Sequence, residues 1–187
     1  MKKFIAKATE KLGLHKKQAE PNAPEAPQNE FPDDGRIRFN DGLISFNAPE
    51  GFFFLSPEGI AQKYSAADRP EVVISNENST ATIACSIRAE NISNAPMTEV
   101  RHGLSRAFEQ SVPQIRWYRN TLLKIDNREW FYAEFSSNQP GAYIYNMVLI
   151  APYGHRMLAF NFNCIMADKE KIKPIYYDCI MSMKVEE

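Results

Sequence analysis

The sequence predicts an α/β domain over residues 36–187: an antiparallel β-sheet covered by helices, preceded by an N-terminal helix (1–18) on a Pro-rich linker (19–35). Three observations carry this prediction. Short segments with period-two alternation recur between turn residues from Arg36 to Met166. Two later segments place apolar residues at helical spacing instead. Prolines crowd one stretch, residues 19–35, where a packed element cannot form.

At the N-terminus, Phe4, Ile5, Ala8 and Leu12 share one helical face, with Lys2, Lys3, Lys7, Lys11, Lys16 and Lys17 around them against the single acid Glu10. The whole chain carries −1, so the body beyond this tail is acidic. A basic tail on an acidic body suits a solubilising end or an anchor to an anionic surface. So short a helix is marginal alone in water and needs a partner or a surface. Its apolar run, Phe4-Ile5-Ala6, ends at Lys7 and is too short for a secretory signal. No stretch approaches the ~20 apolar residues of a membrane span. Pro21, Pro24, Pro27 and Pro32 then favour an extended, semi-rigid spacer. Two PxxP patterns fall here, but acidic neighbours and no flanking Arg favour the spacer over an SH3-type ligand.

Arg36–Phe39 and Leu43–Asn47 read as a hairpin around Asp41-Gly42, followed by a loop, Ala48-Pro49-Glu50-Gly51, and an apolar run, Phe52–Leu55. Pro57–Tyr64 has room for one helical turn. Glu71–Ser75 and Ala81–Arg88 are strands joined across Asn76–Ser79. Pro96–Val112 is a helix with Val100, Leu104, Ala107, Phe108 and Ser111 inward, ended by Pro113. A four-strand meander follows: Arg116–Asp126, Arg128–Ser136, Tyr143–Ala151 and Arg156–Met166. Tyr143–Ala151 is apolar on both faces, as in an inner strand. In the last strand Leu158, Phe160, Phe162 and Cys164 take one face, Asn161 and Asn163 the other. Asp168–Met183 closes the domain with Ile172, Ile175, Tyr176, Cys179, Ile180 and Met183 inward. Pro174 implies that its regular part starts near Lys173, with the proline in the first turn.

The chemistry-bearing residues give no catalytic pattern. His15, His102 and His155 are scattered, and neither helical i, i+4 spacing nor zinc spacing occurs. There is no GxSxG elbow and no glycine-rich phosphate loop. Asp126, Glu129 and Glu134 could meet across a hairpin as paired carboxylates, although strand edges and solvent explain them more simply. Cys85, Cys164 and Cys179 are odd in number and set in apolar segments, which points to free thiols and a reducing, cytoplasmic setting. No enzyme activity, cofactor, metal or nucleic acid is expected.

The most distinctive string is Arg116-Trp117-Tyr118-Arg119. Simple alternation puts Arg116 and Tyr118 on one face, and Trp117 and Arg119 on the other. Aromatics beside arginines can stack bases or anchor a protein partner. The same string also suits a strand with one aromatic in the core and arginines reaching to solvent. Together with Phe4, Ile5 and Leu12 it makes up the candidate partner-binding set.

Three motifs carry a family resemblance: Phe46-Asn47-Ala48-Pro49-Glu50-Gly51-Phe52, the hairpin Lys124-Ile125-Asp126-Asn127-Arg128-Glu129-Trp130, and the ending Ile180-Met181-Ser182-Met183-Lys184-Val185. With the order of elements, they make Leu43 to the end resemble the Mog1/PsbP-like superfamily, including the bacterial DUF1795 (DcrB-like) group. The resemblance implies an α/β/α sandwich and non-enzymatic protein binding: small-GTPase regulation, photosystem assembly, or chaperoning of secretion effectors. The expected role is a cytoplasmic adaptor or chaperone with a protein partner, associated with bacterial secretion. The alternative is a small-molecule or lipid-binding domain with its pocket between sheet and helix.

If the tail is a separate docking element, removing residues 1–34 leaves the thermal midpoint nearly unchanged. Partner or anionic-surface attachment weakens, and the tail's contribution fades as salt rises. Unfolding of the truncated chain in a melting experiment would show the tail to be part of the core.

Overall fold

Among the described residues, ten strands and three helices follow one another, and each forms where its pattern of apolar residues can be buried. The computed structural model describes residues 34–65, 69–139 and 141–186. The helix expected over 1–18, with Phe4, Ile5 and Leu12, lies outside the described residues, as does the linker up to residue 33.

Strands β1 (Arg36–Phe39), β2 (Ile44–Asn47) and β10 (Lys184–Val185) form a small sheet in the order β1-β2-β10. The turn between β1 and β2 holds Asn40, Asp41 and Gly42, all with positive φ. The main sheet has seven strands, every neighbouring pair antiparallel: β3 (Phe52–Phe54), β4 (Val72–Asn76), β5 (Ala81–Arg88), β9 (Arg156–Ile165), β8 (Ala142–Tyr153), β7 (Arg128–Gln139) and β6 (Arg116–Ile125), in that spatial order. After β5 the chain crosses to the far edge through helix α2 (Met97–Ser111), starts β6, and meanders back until β9 lies against β5. The segment read as an inner strand, Tyr143–Ala151, is therefore inner, between β7 and β9. Its first residue, Tyr143, lies at an exposed strand end.

The two sheet faces have different covers. On one, Trp130, Tyr132, Tyr145, Leu149, Phe160 and Phe162 pack under helix α3 (Lys169–Met181) and the small sheet, which contributes Ile37, Phe39, Ile44 and Phe46. On the other, Phe131, Phe135, Val148 and Ile150 meet Val100, Leu104 and Phe108 of α2. Helix α1 (Pro57–Lys63), capped by the Ser56 hydroxyl at the Gly59 N–H (3.1 Å), covers the end near Val73 and Ala84. It spans seven residues, longer than the single turn expected.

Two further expectations need adjusting. The last helix starts at Lys169, after a 3₁₀ turn over Met166–Asp168, and keeps Pro174 in its interior. Proline deletes one intrahelical hydrogen bond. Pro174 is exposed, and buried Ile172 and Tyr176 hold the helix on either side of it. Strand β8 also runs through Pro152 to Tyr153, and the chain turns at Gly154-His155 instead. The three thiols are free and buried. Burial pushes Cys164 and Cys179 up to about 12 and Cys85 well above the usual thiol range, which makes them packing groups.

Phe160 ties the layers together. Fully buried, it touches the rings of Phe39 and Phe46 in the small sheet and of Trp130 and Phe162 in the main sheet, at 5.9–6.1 Å between centroids. Phe160→Ala is expected to cost about 3–5 kcal/mol in a urea titration. A loss below about 1 kcal/mol would mean that the small sheet does not depend on this ring.

Candidate functional site

The site is built where β6, β7 and β8 begin or end beside the start of α3. Alternation along β7 sends Trp130, Tyr132, Glu134 and Ser136 to the α3 face. Tyr145 lies opposite Ser136 and Met147 opposite Glu134, so Tyr143, Tyr145 and Met147 join them from β8.

Strand β6 departs from simple alternation. Trp117 pairs with Phe135, but the next pair is Arg119 with Glu134, leaving Tyr118 as an extra residue in a β-bulge. The bulge overturns the expected split of the string. Arg116, Tyr118 and Arg119 all reach the α3 face; the Tyr118 ring lies 6.1 Å from that of Tyr145, and its hydroxyl donates to the Ser136 Oγ at 3.1 Å. Trp117 alone points to the α2 face, where its ring meets Phe135 (5.4 Å) and Phe108 (6.2 Å) and its Nε1–H donates to Glu109 (3.3 Å). Trp117 is thus a packing residue; the other three form a surface.

Beneath that surface sits Glu134, only 3 % exposed. Its Oε1 accepts from the Tyr145 hydroxyl (2.7 Å) and from the Lys173 ammonium. Its Oε2 accepts from the Tyr132 hydroxyl (3.2 Å), with the Tyr177 hydroxyl 3.5 Å away and itself 3.1 Å from that of Tyr132. Burial pushes the Glu134 carboxyl up, but the hydrogen bonds from Lys173 and Tyr145 outweigh it and hold the group below its ordinary value. Burial, reinforced by their hydrogen bonds, drives the Tyr132 and Tyr145 phenols upward. A carboxylate that accepts from Tyr145, Lys173 and Tyr132 has its charge met inside the protein, and phenols so raised are poor acids. The network is an electrostatic support.

What it supports is cationic and aromatic. Tyr118 and Tyr143 are 39 % and 41 % exposed, and the Ser136 hydroxyl joins them, 2.7 Å from the Tyr143 hydroxyl. The Lys169 ammonium lies 4.7 Å from the Tyr118 ring centroid and 5.4 Å from that of Tyr145. Arg116 lies over Tyr118 and Arg119 over Tyr132, each at 5.9 Å. Among the described residues no group of three His, Cys, Asp or Glu gathers as a metal site.

Solved structures with this architecture include the PsbP protein CyanoP of Synechocystis sp. PCC 6803, 13% identical, covering 80% of this chain and 91% of that one, with a TM-score of 0.56. They also include LpqN of Mycobacterium tuberculosis, described as involved in cell envelope biogenesis (10%; 81% and 90%; TM-score 0.56). A third is the Ran-binding protein Mog1p of Saccharomyces cerevisiae (10%; 80% and 94%; TM-score 0.54). The chain has the Mog1/PsbP-like fold. At these identities the likeness concerns the fold alone. No family model matches the sequence, and no curated protein does either.

Within the Mog1/PsbP-like fold the three carboxylates weighed in the sequence separate. Asp126 sits in the β6–β7 turn and accepts from Lys184 (2.8 Å) and the Val185 N–H (3.1 Å), Glu129 is exposed, and Glu134 is buried at the other end of the hairpin. Sequence reading found Arg116, Tyr118 and Arg119, weighed Glu134 only as a paired or solvated strand carboxylate, and missed Tyr143, Tyr145, Lys169, Lys173 and Tyr177. Only the shared parity of Tyr132, Glu134 and Ser136 hinted at the site. Their partners come from β8 and α3, and no local spacing relates them.

A carboxyl held below its ordinary value of 4.5 stabilises the fold above that pH, and the contribution is lost as pH falls through the depressed value. Lys173→Met is therefore expected to cost about 1–3 kcal/mol at pH 7, less than for a fully buried pair because the Lys173 side chain is 28% exposed. In urea titrations the deficit against wild type should narrow toward pH 4, where the unpaired carboxyl of the variant protonates. A deficit constant with pH would show that the lysine acts through packing on the tyrosine rings instead.

Proposed function

We propose that the chain is a non-enzymatic protein-binding module, an adaptor or chaperone, whose contact surface is the corner formed by Arg116, Tyr118, Arg119, Tyr143 and Lys169. The observation that carries this is the grouping of two exposed tyrosines, Tyr118 and Tyr143, with Arg116 and Lys169 over the Tyr118 ring and Arg119 over the buried Tyr132, above a buried support that fixes their positions. Tyrosine and arginine on a rigid base are the residue types that anchor protein contacts, because little side-chain freedom is lost on binding. The engagement of Glu134 by Tyr132, Tyr145 and Lys173 supports the non-enzymatic reading. The fold likeness to Mog1p, a Ran-binding protein, favours a protein partner. Membership of the DcrB-like group, service to secretion and a cytoplasmic setting belong to the same proposal; they rest on the three sequence motifs and the buried free thiols.

The alternative ligand site between sheet and helix finds less support. That layer is filled by Phe160, Phe162 and Tyr176, whose rings contact one another at 5.3–6.1 Å.

A photo-crosslinking side chain placed at Tyr118 tests the reading. In the native cell it is expected to give one or a few discrete protein adducts. The same group at Glu77, in the β4–β5 turn, should give none. Adducts that are equal from both positions, or absent from 118, would overturn the assignment.

A further inference from the structure

Among the described residues β6 is one of the two edge strands of the main sheet, β3 being the other, with β7 as its sole neighbour in the strand order. The β6–β7 turn has two residues, Asp126 and Asn127, both with positive φ, so Ile125 and Arg128 close the hairpin as a hydrogen-bonded pair. Alternation from that pair turns the N–H and C=O groups of Lys124, Leu122 and Asn120 away from β7. Two of these carbonyls are already engaged: the Asn120 oxygen accepts from the Arg101 guanidinium and the Leu122 oxygen from the Thr121 hydroxyl, each at 3.4 Å. The outward N–H groups of Asn120, Leu122 and Lys124 meet no acceptor among the described residues. The edge is therefore richer in donors than in acceptors.

The side chains beside it show the same imbalance. Among the described residues neither Arg116 nor Arg119 pairs with a carboxylate, and the one carboxylate within ion-pair distance of Lys169 is Glu170, 3.5 Å away, with an 89% exposed side chain. Lys173 is matched by Glu134. A second copy paired along β6 would bring only further cations, because the strand carries Arg116, Arg119 and Lys124 and no acid, and like charges repel there. Base stacking by a nucleic acid is also disfavoured, because Lys169 and Arg116 sit over the Tyr118 ring, and Tyr132 and Tyr145 are fully buried.

We infer that this corner receives an extended acidic segment of a partner protein. The segment lies along β6, its main-chain carbonyls accepting from the free N–H groups and its carboxylates meeting Arg116, Arg119 and Lys169. This rests on the proposed protein-binding reading and names the chemistry of the partner. Both unmet needs, hydrogen-bond acceptors and negative charge, are answered by one ligand in one register.

The test uses the full chain and a fluorescein-labelled 12-residue peptide alternating Glu with Thr or Val. Anisotropy titration is expected to give saturable binding that weakens with salt. Arg116→Glu/Arg119→Glu should weaken it by about tenfold or more, while Arg156→Glu, removing a cation at the β8–β9 turn, should leave it unchanged. A Gln double variant at positions 116 and 119 stands in if the Glu variant melts early. Hydrogen exchange at the Leu122 and Lys124 amides should slow with peptide bound. Equal affinity for a Lys/Thr peptide, tighter binding of oligoadenylate or phosphatidylserine vesicles, no binding, or indifference to the arginine changes would each overturn the inference. Discrete adducts from position 118 without acidic-peptide binding would sink the inference and leave the protein-binding reading standing. Loss of both would sink the reading itself.

Discussion

A carboxylate buried in the middle of a sheet face is the constraint around which this end of the molecule is arranged. An ionised side chain removed from water must be met by hydrogen bonds and opposite charge, or it unfolds its surroundings or takes up a proton. Glu134 is met by Tyr132 from its own strand, Tyr145 from β8, and Lys173 and Tyr177 from α3. Lys173 and Tyr177 are four residues apart, one helical turn, so both reach the same spot only in one rotation of the helix. The carboxylate thus fixes which face of α3 meets the sheet at this end. The same rotation puts Lys169, a further turn back, over the Tyr118 ring. Surface cation and buried anion are consequences of one helix register.

The bulge at Tyr118 is the second arrangement on which the site depends. Without it, Arg119 would share a face with Trp117 and enter the α2 layer, among the apolar side chains of Phe108 and Phe135. With the extra residue, Trp117 keeps its place in that layer while Arg116, Tyr118 and Arg119 gather on the other side. Bulges at sheet edges commonly re-aim side chains in this way, and here one bulge separates a packing residue from three surface residues.

How much of this was legible in the sequence follows from the range of the interactions involved. Strand alternation, the Asp126-Asn127 turn and the α2 stripe are local, and each could be read from neighbouring residues. The inner position of Tyr143–Ala151 was legible too, because an apolar pattern on both faces needs cover on both. The bulge was not: no Gly or Pro marks it, and it arises from pairing with β7. Glu134 read as a solvated strand residue because, apart from Tyr132, its partners lie 11, 39 and 43 positions away. Pro174 misled for a related reason. Local chemistry argues against an interior proline, and burial of Ile172 and Tyr176 overrides it.

The shared architecture and the particular surface therefore have separate physical origins. The Mog1/PsbP-like fold follows from apolar layering: rings such as Phe46, Phe108 and Phe160 between the sheets and helices, which many sequences at low identity can supply. The corner follows from a few polar choices laid on that frame, a bulge, a buried acid and cations one helical turn apart. A chain could change every one of them and keep its layers, so likeness of fold does not specify which partner the corner binds. An open edge strand is a liability unless something discourages pairing, and arginines and lysine along β6 do so against copies of itself. The same charges leave the edge receptive to the opposite sign, so guarding against self-association and selecting an acidic partner are two effects of one set of side chains.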